Sequence, residues 1–321
     1  MPTSQENIDH VETSEYSVVR LNRDNLKDLV SLHAEVYAAK RRGNYFLKKY
    51  DTAYTGVENV GFLAYNKNDE PVAYYGVLPC FIQFENKTIL AAQSADTMTH
   101  PMHRYKGMFA QLSARTFDLC RELGILLIFG FPNQDFYKAA GDKWGWKKTD
   151  TMACFTIPVT SFSLNSIQNS FLKKLYKQYS FFILKKRLLS MNGVANSVLP
   201  DGYAGIYRSD EYLYYKTYNA SKVISVGDSK IWISYRQDLV IGDIEGINET
   251  NFNTVISKLK GIARKLGMRK IQFHCSPGTN LHQLFAVNYK PKLSFHVIFQ
   301  DFGSPVPLEI VKFTFADIDI F

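Results

Sequence analysis

Residues 93–109 place a basic turn between a predicted strand and the start of a predicted helix. The turn contains Arg104 and Gly107 in the spacing Arg-x-x-Gly, and Lys106 adds a second cation. A helix N-terminus exposes unpartnered backbone N–H groups and the positive end of the helix dipole, which together bind phosphate. Gly107 lacks the Cβ that would hold a pyrophosphate away from the backbone. The stretch therefore predicts a site for a phosphorylated ligand, with an ordinary basic helix cap as the alternative.

The elements that must position this turn follow a regular order in residues 16–157. A helix over about 107–123 ends at Gly124, a residue typical of helix C-termini. The apolar run at 125–131, bounded by Gly124 and Pro132, predicts a buried strand. The other predicted elements are strands at 16–22, 58–66, 71–83, 87–97 and 147–157, and helices from Asp24, at 45–50 and at 134–143.

Residues 201–321 repeat this order at a constant offset of 143 residues, so that Phe252 matches Phe109 and Gly267 matches Gly124. The agreement of element order predicts a duplicated domain. The predicted fold class is α+β, with two domains that each have a mostly antiparallel sheet flanked by helices. The second half has predicted strands at 203–208, 230–236, 238–244 and 270–275 and a helix at 250–266. The predicted division is a disordered tail at 1–15, a first domain at 16–157, a basic linker region at 158–200 and a second domain at 201–321.

Residues 16–157 resemble the GNAT acetyltransferases, whose pyrophosphate loop reads Gln/Arg-x-x-Gly-x-Gly/Ala. Arg104 and Gly107 match the first two positions, whereas Phe109 stands where the family has a small residue. The Phe109 ring could turn into the core and leave its N–H free, or it could weaken CoA binding. An Asn after the buried strand and a Lys-Trp-Gly-Trp sequence at 143–146 are further similarities. The resemblance implies an acetyl-CoA site formed by Thr97, Met98, Thr99, Arg104, Tyr105, Lys106, Gly107, Met108, Phe109 and Asn133.

Acetyl transfer from a thioester needs a neutral amine, a polarised carbonyl and a protonated leaving thiol. A backbone N–H near Met98 or Thr99 could polarise the carbonyl. The resemblance implies a Tyr acid on the helix at 134–143, and Tyr137 is the candidate, although the usual position falls near Gly141. Because an alkylammonium has a pKa near ~10.4, a base must take its proton. The candidate bases are Asp96, His100, Glu35 and a water chain, and the first two have structural alternatives as a strand-end carboxylate and a turn imidazole.

The residues and the resemblance together predict an N-acyltransferase that moves acetyl from acetyl-CoA to a small-molecule primary amine. Analogy with the family suggests an amino sugar as the acceptor. The alternatives are a Fem-type aminoacyl transferase and a non-catalytic protein that binds CoA or another ligand. In the second half, the loop at 246–250 lacks Arg-x-x-Gly and carries Glu249, so no CoA is expected there. The alternation at 313–321 predicts a final strand whose acids attract a cationic acceptor or face water.

The net charge, the cysteine spacing and the apolar runs of the sequence limit which partners and which cellular location we expect. A net charge of +8 attracts phosphates of any kind, but no zinc finger, RNP-type strand or basic-helix motif supports nucleic-acid binding. The four cysteines are scattered, which argues against disulfides and against a metal site. The acidic start is unlike a signal peptide, and no apolar run reaches the ~18 residues of a membrane span. We therefore expect a cytoplasmic protein with no nucleic-acid partner and no metal.

Residues 170–190 combine helical apolar spacing with six cations and no acid. A basic amphipathic helix of this kind can lie on an anionic membrane. The alternative is a linker helix packed between the domains with its lysines in water. From the sequence we favour the packed linker, and we expect residues 170–190 not to anchor the protein to a membrane and not to insert stably into one.

Overall fold

The computed structural model describes residues 15–38, 44–134, 136–138, 144–161, 170–235 and 237–321. The predicted tail at 1–15, all but its last residue, lies outside this range, as does much of the helix predicted at 134–143. The described strands are β1 Ser17–Arg20, β2 Val60–Tyr65, β3 Pro71–Phe84, β4 Lys87–Thr99, β5 Leu127–Gly130, β6 Lys147–Pro158, β7 Gly205–Ile206, β8 Ser221–Val226, β9 Ser229–Tyr235, β10 Leu239–Glu245, β11 Lys270–Cys275 and β12 Lys292–Asp301. The described helices are α1 Leu26–Tyr37, α2 Tyr45–Lys49, α3 Met108–Glu122, α4 Ser170–Leu184, α5 Asp210–Tyr215, α6 Phe252–Lys265 and α7 Asn280–Ala286.

All twelve described strands belong to one continuous sheet. Its order is β1-β2-β3-β4-β5-β12-β6-β11-β10-β9-β8, and β7 pairs with β3 outside this path. β4 runs parallel to β5, and β10 runs parallel to β11, whereas the other neighbours are antiparallel. The predicted class, a mostly antiparallel mixed sheet flanked by helices, is confirmed.

The two halves of the chain exchange strands within this sheet. β12 comes from the second half but lies between β5 and β6 of the first. β6 in turn pairs along its far edge with β11 of the second half. The predicted division into copies at 16–157 and 201–321 stays a prediction, and the sheet joins these two segments without a break.

α3 is held against β2 and β3 by one buried face. Met108, Leu112, Phe117 and Cys120 follow helical spacing and are buried among apolar residues of those strands. The face fixes the direction of the helix, so that its N-terminus lies beside the end of β4. This placement brings the basic turn at 101–107 to the edge of the sheet.

The second half differs from prediction at its ends. Residues 221–226, 280–286 and 292–301 form β8, α7 and β12, which the sequence pattern did not indicate. The strand predicted at 313–321 is wrong, because Phe315–Asp317 forms a 3₁₀ turn instead. Thr314 caps that turn reciprocally with Asp317, so the alternation of the sequence reflects a capping box.

Candidate active site

β4 and β5 separate after a short stretch of pairing. Their parallel register covers only Ala91–Gln93 against Leu127–Phe129, although β4 continues to Thr99. The separation leaves a hollow of about 500 Å³, which we call the inter-strand hollow. It is lined by His33, Tyr37, Ser94, Ala95, Asp96, Thr97, Gly130, Phe131, Pro132, Asn133, Phe136, Trp146, Ile298, Asp319 and Ile320.

A β-bulge shapes the wall of this hollow. Between the pairs Tyr74–Met98 and Gly76–Ala95, β4 carries one residue more than β3, and Asp96 has a φ of 51°. Bulges of this kind redirect side chains and interrupt the ladder of hydrogen bonds. The bulge therefore explains how Asp96, within a long paired strand, lines the hollow.

A second hollow of about 780 Å³ lies at the N-terminus of α3, and we call it the α3 groove. Nine of the ten predicted cofactor-binding residues line it, namely Thr97, Met98, Thr99, Arg104, Tyr105, Gly107, Met108, Phe109 and Asn133. Lys106 is the exception. Its ammonium pairs with Glu15 at 2.7 Å on the surface and lies over the Tyr16 ring. The fold thus brings nine of the ten residues together around one hollow, and the role of all ten in cofactor binding stays a prediction.

The start of α3 leaves backbone donors available to the groove. The first bond of the helix runs from Gln111 N to Gly107 O at 3.1 Å, so the N–H groups of residues 108–110 precede it. Gly107 has a φ of 76°, and a Cβ placed on it would meet no atom within 4 Å. The glycine is therefore suited to its left-handed conformation, and the space beside it is open. Arg104 lies next to this turn and donates from Nε to Thr99 O at 3.3 Å.

The Phe109 ring takes the first of its two expected positions, which is in the core. The ring lies edge-on to Trp144, Phe136 and Tyr75, with centroid distances of 4.8, 5.0 and 5.4 Å. The side chain thus turns into an aromatic cluster under the helix, which leaves the backbone of the first turn facing the groove.

A buried lysine joins two carboxylates at the inter-strand hollow. Lys49 Nζ lies 2.7 Å from Asp96 Oδ2 and 2.7 Å from Asp319 Oδ2, and its side chain is 1% exposed. Burial opposes the charge, but Asp319 and Asp96 outweigh it and raise the pKa of Lys49 well above its usual value. Tyr50 also donates to Asp96 Oδ2, at 2.9 Å. Two carboxylates and one ammonium leave this cluster with one net negative charge.

The candidate bases occupy different places. Asp96 lines the inter-strand hollow and is held by side chains rather than by strand backbone alone. His100 caps the turn Pro101–His103, where its Nδ1 accepts from Met102 N at 3.3 Å, and it lines neither hollow. Glu35 is exposed on α1 and lines neither hollow.

Tyr137 lies away from both hollows. Its ring stacks on His296 of β12 with centroids 3.7 Å apart, and Lys148 Nζ lies 4.8 Å from the ring centre. The neighbouring Phe136 lines both hollows instead. The structure therefore does not bring the predicted acid to the site, and the usual family position at Gly141 lies outside the described residues.

Two residues at the site had no predicted role in the sequence. His33 and Tyr37 of α1 line the inter-strand hollow, although their helical spacing indicated core positions. The pattern that could have indicated a site here is the presence of two polar aromatic residues, one turn apart, on an otherwise apolar helix face. Tyr37 donates to Thr97 O at 3.3 Å, and burial, followed by Asp96, raises the pKa of its hydroxyl. Asp319 is one of the acids at 313–321 that were expected to attract a cationic acceptor or to face water, but no local pattern placed it beside Lys49 and Asp96, which are distant in sequence.

The corresponding region of the second half is closed. Asn248 Oδ1 accepts from the N–H groups of Thr250 and Asn251, and Phe252 N donates to Asn248 O. The N–H groups of residues 250–252, just before and at the start of α6, thus have partners within the chain. At the bulge of β10, the Phe321 ring fills the position of a side chain on Gly242.

The comparisons agree with this geometry. Residues 17–147 match the family model described as an acetyltransferase (GNAT) domain. Residues 17–147 are therefore similar to GNAT acetyltransferase domains. The domain indicates acyl transfer as the class of reaction. A search of curated protein sequences finds no match.

Solved structures share the fold at low sequence identity. A GCN5-related N-acetyltransferase from Kribbella flavida is 10% identical with a TM-score of 0.56, over 90% of this chain and 72% of that one. A probable N-acyltransferase from Enterococcus faecalis V583, a conserved protein of unknown function, is 13% identical with a TM-score of 0.57, over 89% and 72%. A putative acetyltransferase from Pyrococcus horikoshii is 13% identical with a TM-score of 0.56, over 97% of both chains.

In the described part of the present chain, no helix has the length and apolarity needed to cross a membrane.

Proposed function

We propose that the protein is an acyl-CoA-dependent N-acyltransferase that transfers acetyl from acetyl-CoA to a primary amine. The observation that carries this proposal is the junction of the two hollows. Tyr37, Thr97, Asn133 and Phe136 line both the α3 groove and the inter-strand hollow. A cofactor in the groove and an acceptor in the hollow would therefore meet at these four residues.

The α3 groove fits the phosphates of CoA. Its donors are the N–H groups at the start of α3, its approach beside Gly107 is open, and Arg104 adds a positive charge. When bound, acetyl-CoA supplies the acetyl group as a thioester. Thr97, Met98 and Thr99 continue along β4 toward the junction, where a backbone N–H can polarise the thioester carbonyl.

The inter-strand hollow fits a cationic acceptor. Asp96 and Asp319 are its charged lining residues within the described part of the chain, and the cluster they form with Lys49 has one net negative charge. A primary amine enters as an ammonium at neutral pH, because its pKa is near ~10.4. The carboxylates attract this charge, and Asp96 is the proposed acceptor of the proton that the amine must lose. An amino sugar stays the proposed acceptor by family analogy.

Tyr37 is the proposed acid. Its hydroxyl donates to Thr97 O at the junction, and partial burial, followed by Asp96, raises its pKa, which keeps the hydroxyl protonated at neutral pH. A thiol has a pKa of about 8.5, so the thiolate leaving group ends protonated at neutral pH, and a hydroxyl held close to it can deliver that proton as the bond breaks. The position of Tyr37 favours it over Tyr137.

Titration calorimetry with acetyl-CoA, followed by a thiol-release assay with a panel of primary amines, tests the proposal. Micromolar binding together with turnover of at least one amine supports it. Binding without turnover of any amine would favour a non-catalytic ligand-binding protein. A failure to bind CoA, together with amino-acid transfer from aminoacyl-tRNA, would favour the Fem-type alternative.

A further inference from the structure

α4 has one face that the fold covers. Tyr176 donates to Leu266 O at 2.8 Å, and Tyr179 donates to Lys265 O at 2.8 Å, so the helix rests on the C-terminal end of α6. Ser180 and Leu184, one helical turn apart, are buried on the same side. These contacts fix the orientation of α4 and decide which side chains face outward.

The outward side of α4 is apolar to an unusual degree. Leu172, Leu175 and Phe182 form one stripe along the helix, and Tyr179 lies at its edge, half-exposed, with its hydroxyl bound to Lys265 O. Each is at least 43% exposed, and Phe182 reaches 75%. A row of large exposed apolar side chains on one helix is more than the scattered single residues of an ordinary surface.

Cations surround this stripe. Exposed positive side chains lie on α4, just after it and at the end of α6, namely Lys174, Lys177, Lys185, Lys186, Arg187, Arg264 and Lys265. Residues 170–190 and 259–270 contain no acid. The surface that we call the α4 face, formed by these cations and the stripe, is thus both apolar and positive.

We propose that the α4 face docks on the surface of an anionic lipid bilayer. Its cations complement acidic headgroups, while the stripe can enter the boundary between headgroups and acyl chains. Long lysine side chains keep their charges in the headgroup layer while their stems follow the apolar surface. Nucleic acid would satisfy the cations but leave the stripe in water. Fifteen residues of helix are too short to span a bilayer, so the contact is peripheral.

Co-sedimentation with vesicles tests this surface directly. The intact protein should pellet with vesicles of phosphatidylcholine and phosphatidylglycerol at physiological ionic strength, but not with phosphatidylcholine alone. Higher salt should weaken binding through screening of the charges. The double variant Leu175→Ser, Phe182→Ser should bind at least about tenfold more weakly, since it removes buried apolar area. Its matched control is Val287→Ser, Leu293→Ser, which changes side chains that are 84% and 81% exposed elsewhere.

The charges are tested by a second pair of variants. Lys174→Glu, Lys185→Glu should also lower binding at least about tenfold, whereas Lys67→Glu, Lys87→Glu, exposed on other turns, should not. All substitutions are at exposed positions, and unchanged thermal melting shows that each variant folds. The proposal is overturned if the intact protein stays in the supernatant, or if the serine pair binds as tightly as the wild type. Size-exclusion chromatography covers the other occupant of the stripe. If the wild type is a dimer that does not bind vesicles, and the serine pair is a monomer, the stripe contacts a second copy of the chain instead.

Discussion

The Asp319 carboxylate lies 2.7 Å from the Lys49 ammonium, although 270 residues separate the two along the chain. Asp319 also accepts from Gln93 Nε2 at 3.1 Å, so it is fixed from both α2 and β4. Through these contacts, the last residues of the second half line the inter-strand hollow of the first. The site therefore depends on how the two halves are joined.

The first prediction concerns the charge of the acceptor. Asp319→Asn keeps the shape of the side chain but removes a negative charge from the hollow. We expect kcat/KM for a cationic amine to fall about tenfold, mainly through KM, because the loss is about one charge-assisted hydrogen bond. The KM for acetyl-CoA should not change. Asp238→Asn, which breaks a surface pair with Lys270, is the control, and equal effects of the two variants would contradict the role of Asp319.

Local patterns were enough to predict the elements around the α3 groove. The apolar run between Gly124 and Pro132 has the length and the boundaries of a buried strand, and β5 occupies Leu127–Gly130. The spacing of Arg104 and Gly107 before an amphipathic helix likewise predicted the turn that opens the groove. Each of these patterns involves residues that are close in sequence. The geometry of the local backbone is therefore enough to predict the element.

Long-range pairing could not be predicted in the same way. The insertion of β12 between β5 and β6 depends on which edges remain free after the first half folds, and no local pattern encodes that choice. The alternation at 313–321 gave a wrong strand for the same reason. Its Asp317 is buried against Arg208 at 2.8 Å, a partner 109 residues away, and does not face water.

The second prediction separates the two candidate acids. Tyr37→Phe keeps the ring and removes the hydroxyl at the junction of the hollows. Turnover should fall by ~10²–10⁴-fold, in kcat and kcat/KM alike, while acetyl-CoA binding by calorimetry changes little. Tyr137→Phe should have nearly normal kcat, because that ring stacks on His296 away from the junction. The reverse pattern would restore Tyr137 as the acid and require a movement of its helix.

The third prediction concerns the number of CoA sites. Gly107→Glu puts a carboxylate among the N–H donors of α3 and a non-glycine residue at a φ of 76°, so CoA binding should be lost. Thr250→Glu makes the equivalent change before α6, where Asn248 already accepts from the N–H groups of Thr250 and Asn251, and it should leave binding intact. Calorimetry of both variants gives the answer. Equal losses of affinity would rule out a single site in the first half.

The fourth prediction concerns a buried ion cluster behind the site. Arg208 pairs with Asp243 at 2.7 Å and with Asp317 at 2.8 Å, and the three side chains are at most 1% exposed. Arg208→Met leaves two carboxylates buried without their cation, which should lower the free energy of unfolding by ~3–5 kcal/mol. Urea denaturation measures the loss. Lys230→Met breaks the exposed pair with Glu245 and should cost only ~0–1 kcal/mol, so a similar effect of the two variants would contradict the prediction.

The last prediction uses the pH dependence of stability. Burial lowers the pKa of the Lys216 ammonium to about 8, and the carboxylates of Asp319 and Asp317 only partly oppose this effect. In the unfolded chain the pKa is ~10.4. Between these values the unfolded state binds more protons at Lys216 than the folded state does. The contribution of Lys216 to the free energy of unfolding therefore rises with pH in this window, and it is constant below it.

Subtracting a variant isolates this contribution from that of the buried tyrosines and cysteines, whose side chains titrate in the same range in the unfolded chain. We expect the free energy of unfolding of the wild type minus that of Lys216→Met to increase by on the order of 2 kcal/mol from pH 8 to pH 10, at about 1.4 kcal/mol per unit. The measurement is urea denaturation at several pH values. Lys222→Met, at an exposed position of β8, should give a difference that is constant with pH. A difference for Lys216→Met that stays flat or falls with pH would show that Lys216 is buried as an ammonium, held by Asp319 and Asp317.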